Sequence, residues 1–190
     1  MRQLSSNLRQ HKLNLRPLAV SDASAFQRLR LFGLQESPSA FGSSYEEERD
    51  RTIEQIQNHL VGFRERVFIG AFLESELIGL VGVGREQAAK ARHLAFVRSM
   101  YVAPTARCQG LGRNLLLAAI ERASSWHGVE QLTLAVTASN GPAIHLYSSV
   151  GFVEVGRIPR ALRLGSEYFD ELNMVRTTSA ASLKKLPASD

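Results

Sequence analysis

Arg107-Cys108-Gln109-Gly110-Leu111-Gly112-Arg113 is the stretch on which the reading of this chain turns. Upstream, Leu94 to Val102 is an apolar run interrupted by Arg98 and Ser99. Pro104 stops it, because a central strand cannot continue through a residue without an N–H. Downstream, Leu111, Leu115, Ala118, Ala119 and Arg122 fall on one helical stripe, Leu116, Ile120 and Ala123 widen its apolar face, and the pattern gives out near His127-Gly128. A loop that leaves a strand end and enters a helix through two glycines lets backbone N–H groups approach a ligand closely. The helix dipole adds partial positive charge at the same place. This is a construction for holding phosphate.

Two other phosphate loops are excluded by their own requirements. A Walker A loop needs Gly-Lys-Ser/Thr, and no such triplet occurs in the chain. A dinucleotide fingerprint needs a third glycine at position 115, where Leu115 stands, and an acidic residue after the second strand. The wider pattern Tyr101-Val102-x-Pro104-x-x-Arg107-x-x-Gly110-x-Gly112-x-x-Leu115-Leu116 resembles the coenzyme A loop of the GNAT superfamily of N-acetyltransferases. A second block, Leu134-x-Val136-x-x-x-Asn140-x-x-Ala143-Ile144-x-Leu146-Tyr147-x-x-x-Gly151-Phe152, looks like the next strand, helix and strand of that family. A weaker third match is Gly165-x-x-Tyr168-x-Asp170-Glu171-Leu172-x-Met174. The matches cover roughly the C-terminal half.

The resemblance implies an α/β acyl-CoA N-acyltransferase fold, a mixed central sheet of about seven strands flanked by about four helices. Local pattern gives a compatible order. Leu13 and Leu15 alternate in a first strand, and Ser21 or Asp22 is placed to cap a helix running to about Gln35. Glu36 to Ser44 reads as a loop. Ser44 with Glu47 forms a capping box for a helix continuing to about Leu60. Arg66 to Leu73 and Leu77 to Arg85 make a hairpin around Glu74-Ser75-Glu76, leading to the strand before the phosphate loop. Glycines 79, 82 and 84 lie within a strand pattern and read as bulges or close packing. No repeat or linker divides the chain, so residues 1–176 are expected to form a single N-acetyltransferase domain and 177–190 a mobile tail.

Composition agrees without being informative. A chain of 190 residues with 44% hydrophobic and 22% charged residues is ordinary for a soluble globular domain. No apolar run approaches the ~18 residues of a membrane span, and Met1 to Lys12 lacks the apolar centre of a signal peptide, so a cytoplasmic location without membrane contact is expected. One cysteine excludes an internal disulfide and a cysteine-rich metal site, and no metal is expected. The net charge of +5 invites a nucleic-acid reading, but the arginines are dispersed and the longest basic run in the tail is Lys184-Lys185; a solvated basic surface that suits an anionic cofactor is the better account.

The chemistry implied by the resemblance is direct transfer of an acetyl group from acetyl-CoA to an amine. It requires an anchored pyrophosphate, a thioester beside a deprotonated amine, a stabilised oxyanion and an acid for the departing thiolate. By that resemblance the backbone of Gln109, Gly110, Leu111, Gly112 and Arg113 takes the pyrophosphate, with Arg107 or Arg113 adding charge. Met100, Tyr101 and Val102 pair with the pantetheine arm, and Asn140 contacts the cofactor while also fitting a plain N-cap. Tyr147 matches the family tyrosine near the thiolate and is the candidate general acid; a helix aromatic packed under the sheet is the alternative.

No base is evident. His93 to Val102 carries no acidic residue, which leaves a water relay with Glu46, Glu47 or Glu48 as distant candidates, and His93 and His145 as the histidines to consider, a single His in a half-buried element being usually structural. Cys108, beside a helix N-terminus and two arginines, has the setting of a reactive thiol, yet lies at the pyrophosphate end of the cofactor. Ser37 to Tyr45 is expected to border the acceptor cleft, its aromatics and Glu46 suiting a cationic amine. A small-molecule amine is the first acceptor class and a protein or peptide amine the second. A domain that senses acyl-CoA without turnover is the alternative function, and the resemblance allows a homodimer.

Overall fold

The computed structural model describes residues 13–61 and 64–178. The expectations for Met1 to Lys12 and for a tail beyond Thr178 lie outside the described residues. Seven strands form one sheet in the order β1-β2-β3-β4-β5-β7-β6. They are β1 (Leu13–Pro17), β2 (Arg66–Leu73), β3 (Glu76–Arg85), β4 (Leu94–Val102), β5 (Gln131–Thr137), β6 (Val153–Leu164) and β7 (Glu167–Thr177). All neighbours are antiparallel except β4 and β5. The helices are α1 (Ala23–Glu36), the single turn α2 (Tyr45–Glu48), α3 (Ile53–Val61), α4 (Leu111–Ser124) and α5 (Gly141–Ser149). The mixed α/β sheet with its helices is the fold expected from the sequence blocks.

Two buried clusters account for its stability. One is built by α4 against the sheet, with Leu115, Leu116, Leu132, Val81 and Val83 fully buried; each side chain removed from water contributes on the order of 1.5–3 kcal/mol. The other is built by α1 and α3, with Phe26, Leu29, Ile56 and Leu60 meeting Phe68, Phe72, Leu77, Leu80 and Tyr101. The strand glycines do pack closely: a Cβ on Gly82 would stand 2.8 Å from the Phe68 ring, and one on Gly84 would collide with the Phe96 ring.

Local departures from the sequence reading have local causes. Asp22 does not cap α1, because its carboxylate accepts hydrogen bonds from both Arg16 η nitrogens (2.6 and 2.9 Å) and from the Ala19 N–H (2.8 Å). The helix expected from Ser44 to Leu60 is two helices. Ser44 and Glu47 make the first capping box, and Thr52 with Gln55 makes a second, the Thr52 N–H donating to Gln55 Oε1 at 2.8 Å and the Gln55 N–H to Thr52 Oγ1 at 3.2 Å. At the end of the described residues Thr177 closes β7, and Thr178 is anchored as well, its N–H donating to Glu130 O at 2.9 Å and its hydroxyl to Val129 O at 2.9 Å.

Candidate functional site

The site begins with a change of parity in β4. Ser99 has a left-handed φ of 54°, and the pairing with β3 slips by one residue there, from Gly82 opposite Arg98 to Leu80 opposite Tyr101. One inserted residue turns every later side chain to the other face. Ala95 and Val97 therefore belong to the α4 cluster, whereas Tyr101 belongs to the α1 cluster and Met100 and Val102 pack toward α4.

Beyond the first residues, β4 also loses its other neighbour. It pairs with β5 only at Leu94, Ala95 and Phe96, opposite Gln131, Leu132 and Thr133, while β5 stays paired with β7 as far as Thr137 opposite Glu171. The parallel strands part toward their C-terminal ends. Ligands of α/β sheets characteristically enter at such a place.

The loop after β4 leads directly to a helix start at the same end. Cys108 and Gly110 have φ of 60° and 79°, and no side chain caps α4. The first amide satisfied within the helix is that of Asn114, which donates to Gly110 O at 3.1 Å, so the N–H groups of Leu111, Gly112 and Arg113 lack an intrahelical acceptor. A Cβ on Gly112 would lie 3.2 Å from Leu146 Cδ2 and 3.5 Å from Met100 Cε, so glycine brings this first turn against α5 and the end of β4. Arg113 ties the same two helices by donating to Ser149 O (3.2 Å) and Oγ (3.1 Å). Gln109 donates to Thr105 O at 3.1 Å, and Cys108 is exposed.

Asn140 is the N-cap of α5, its Oδ1 accepting from the Ala143 N–H at 3.2 Å. Tyr147 is buried, its ring packed edge-on to Phe152 at 6.1 Å between centroids. Burial pushes its phenol up to about 12, and its hydroxyl has no hydrogen-bond partner among the described residues.

Arg107 is differently engaged from the other loop residues. Its Nε donates to Val102 O at 2.9 Å, and its Nη1 and Nη2 donate to the two carboxylate oxygens of Glu36 at 3.0 and 2.8 Å. Glu36 Oε2 also accepts from the Tyr101 hydroxyl at 3.2 Å and from Ser37 Oγ at 2.5 Å. With Arg107 as the main cause, the Glu36 carboxyl is pulled down to about 2; burial and the adjacent Glu36 push the Tyr101 phenol up to about 12.

A cleft of about 630 Å³ opens beside this end of the sheet. Leu34, Gln35 and the segment from Pro38 to Glu47 form one wall, and Ala161 to Leu164 with Phe169 form the other. It is tied to both parted strands: Glu36, next to Gln35, is bonded to Tyr101 of β4, and the Thr137 hydroxyl at the end of β5 donates to Ser39 O at 2.6 Å. Most of the Ser37–Tyr45 segment therefore lines a cleft.

The candidate bases separate clearly. Glu48 is buried and held by Arg30 Nε and Nη2 at 3.0 and 2.9 Å, which hold its carboxyl below the usual range against the opposing effect of burial. Glu47 accepts the Ser44 N–H at 2.7 Å. Glu46 lines the cleft with neither engagement. His93 and His145 are exposed and away from the cleft lining. Among the described residues no group of His, Cys, Asp and Glu is arranged to hold a metal ion, and no helix is long and apolar enough to cross a membrane.

Sequence reasoning missed Glu36, Thr137 and the Ala161–Leu164 wall. Glu36 carried the one available signal, an acidic residue in the last turn of a helix, where the dipole disfavours it.

Comparison with known proteins agrees with this fold. The acetyltransferase (GNAT) family model matches residues 31–152. The spermidine N(1)-acetyltransferase of Vibrio cholerae is 27% identical over 123 residues, which are 64% of this chain and 69% of that protein. An acetyltransferase of the GNAT family from Streptococcus pneumoniae has the same fold, with a TM-score of 0.76 and 24% identity over 87% of this chain and 99% of that one. The structure of yncA, a putative acetyltransferase from Salmonella typhimurium with its cofactor acetyl-CoA, has a TM-score of 0.73 and 17% identity over 90% of this chain and 96% of that one.

Proposed function

The chain belongs to the GNAT family of acetyltransferases, and on that premise we propose that it moves an acetyl group from acetyl-CoA directly to the primary amine of a small molecule, both substrates being bound together. The observation that supports this reading is the parting of β4 and β5, beside a helix start whose amides lack internal acceptors and a cleft tied to both strands. Direct transfer needs both substrates held together at such a place.

The residues fit the donor. The N–H groups of Gln109, Gly110, Leu111, Gly112 and Arg113 face a diphosphate with the helix dipole behind them, and Gly112 has no Cβ to keep it away. The edge of β4 at Met100 and Val102, unpaired with β5, offers backbone groups to an amide-bearing arm, and Asn140 opens α5. Acetyl-CoA supplies an activated thioester. Tyr147 holds a proton at its hydroxyl at any working pH, because burial keeps the phenol neutral, and gives it to the departing thiolate as general acid. Glu46 is the acidic side chain of the cleft wall free to attract a cationic amine, and removal of the amine proton runs through water.

A polyamine is the first acceptor to test, because the Vibrio relative acts on spermidine. Thiol release from acetyl-CoA is measured across a panel of polyamines, amino acids, aminoglycosides and an N-terminal peptide. Turnover on a small amine supports the reading. Acetyl-CoA binding without turnover on any amine overturns it in favour of a sensor, and turnover on the peptide alone overturns the small-molecule acceptor.

A further inference from the structure

We propose that Glu36 is a positioning residue which, through Arg107, sets where the end of β4 meets the acceptor cleft, and that Arg107 is committed to this clasp instead of to the donor's phosphates. The inference rests on the acetyl-transfer reading for its kinetic arm only.

The geometry gives the guanidinium a complete set of internal partners. Nε is spent on Val102 O, and the two η nitrogens on the two oxygens of Glu36, a bidentate match. Tyr101 adds a third segment, its hydroxyl donating to Glu36 at 3.2 Å while Arg107 lies 5.4 Å over its ring. One carboxylate thus joins the last residue of α1, which leads into the cleft wall, to the end of β4 and to the start of the phosphate loop. The bulge at Ser99 makes this contact, because without the change of parity Tyr101 would face α4.

A purely stabilising role fits poorly. Glu36 sits at the negative end of α1, whose last turn carries no basic residue. Its partner's side chain is 40% exposed, so solvent screening discounts what the bidentate geometry contributes to folding. The clasp is also placed against the helix dipole. What it does provide is a fixed distance between the donor arm and the acceptor wall, and small misplacements of that kind cost rate more than binding.

The test compares Glu36→Gln, Arg107→Gln, Arg107→Lys and the double variant Glu36→Gln/Arg107→Gln. Coenzyme A affinity is measured by calorimetry, and kcat and KM with an amine from the panel. The expected result is coenzyme A affinity within about threefold of the parent in every variant, and kcat lowered about tenfold in each single variant and no further in the double. Arg107→Lys keeps the charge but not the fork, so it should lose as much kcat as Arg107→Gln. A tenfold loss of coenzyme A affinity in Arg107→Gln that is absent from Glu36→Gln would overturn the proposal by making Arg107 a phosphate ligand. Full kcat in Arg107→Lys, or additive losses in the double variant, would also overturn it. If no amine is turned over, the acetyl-transfer reading fails separately and the coenzyme A affinities still decide whether Arg107 serves the phosphates.

Discussion

Removing one oxygen from Tyr147 separates chemistry from stability more cleanly than any other change in this chain. The ring is buried and packed on Phe152, and phenylalanine keeps that packing. The hydroxyl has no partner among the described residues and is not a fully buried orphan, so Tyr147→Phe breaks no internal hydrogen bond. Losing it should change stability by less than about 1 kcal/mol. In a domain of this size that is a change in Tm of at most about 4 °C. Catalysis should move far more. A positioned general acid contributes about 10²–10⁴-fold, so kcat should fall by at least about a hundredfold, or roughly 2.7 kcal/mol of barrier, with the acetyl-CoA KM little changed. Because the phenol is pushed up to about 12, this group should cause no basic limb in the parent's rate profile below about pH 10. The assay is steady-state thiol release on the best panel amine, beside a melt monitored by fluorescence. A variant retaining kcat within threefold, or one whose kcat falls only in step with its folded fraction, would refute the assignment.

Cys108→Ala should leave kcat within about twofold, since the thiol is exposed and belongs to the phosphate end of the loop; loss of turnover with intact coenzyme A binding would make it an acyl carrier instead. Gly70→Ala would place a Cβ 2.5 Å from Leu18 Cδ2 and 2.7 Å from Leu77 Cδ1, both buried, so it should cost about 1–3 kcal/mol by overpacking and lower Tm by several degrees in thermal melts. His59 is lowered to about 4 by burial first and by Arg66 and Arg51 next. Above its ordinary 6.5 both folded and unfolded forms are neutral; as pH falls from 6.5 toward 4 the unfolded chain takes up a proton that the folded chain refuses, and stability falls by roughly 2 kcal/mol after allowance for solvent screening. Denaturant titrations at pH 7 and pH 5 on the parent and His59→Gln check this, the variant showing the smaller loss; equal losses would mean that His59 is not the group responsible.

What the sequence made legible was whatever is built from a contiguous stretch. The α4 stripe, the Ser44–Glu47 capping box and the hairpin between β2 and β3 each depend on residues within a turn or two of one another, and each stands where the pattern put it. The helix expected through residues 49–52 failed for a reason of the same kind, a second Thr52–Gln55 box overlooked inside a run of helix formers. The cleft was only half visible. Ser37 to Tyr45 was expected to border it, but the opposite wall comes from residues 161–164, more than a hundred positions away, and no local pattern predicts that juxtaposition.

The same distinction explains why the donor is better specified than the acceptor. Phosphate is met by backbone amides, whose position depends on glycine spacing and on where a helix starts, so a motif of a few residues is enough to reveal it. On the proposed reading an amine is chosen by side chains from α1, the segment after it and the β6–β7 hairpin, which together line the cleft. Their meeting depends on Ser99, whose single left-handed step turns Tyr101 toward α1, gives Glu36 a partner and sends Met100 and Val102 to the other face. Serine carries no strong preference for that conformation, and nothing in the run Leu94 to Val102 announces it. The residue with the largest geometric consequence for the site is therefore the one with the faintest sequence signal. A change there such as Ser99→Val, β-branched and strained at φ 54°, should disturb donor and acceptor sides together, raising both KM values, whereas a change at Gly112 should raise the donor's alone. If Ser99→Val left the amine KM untouched in bisubstrate kinetics, the bulge would not be the joint between the two sides.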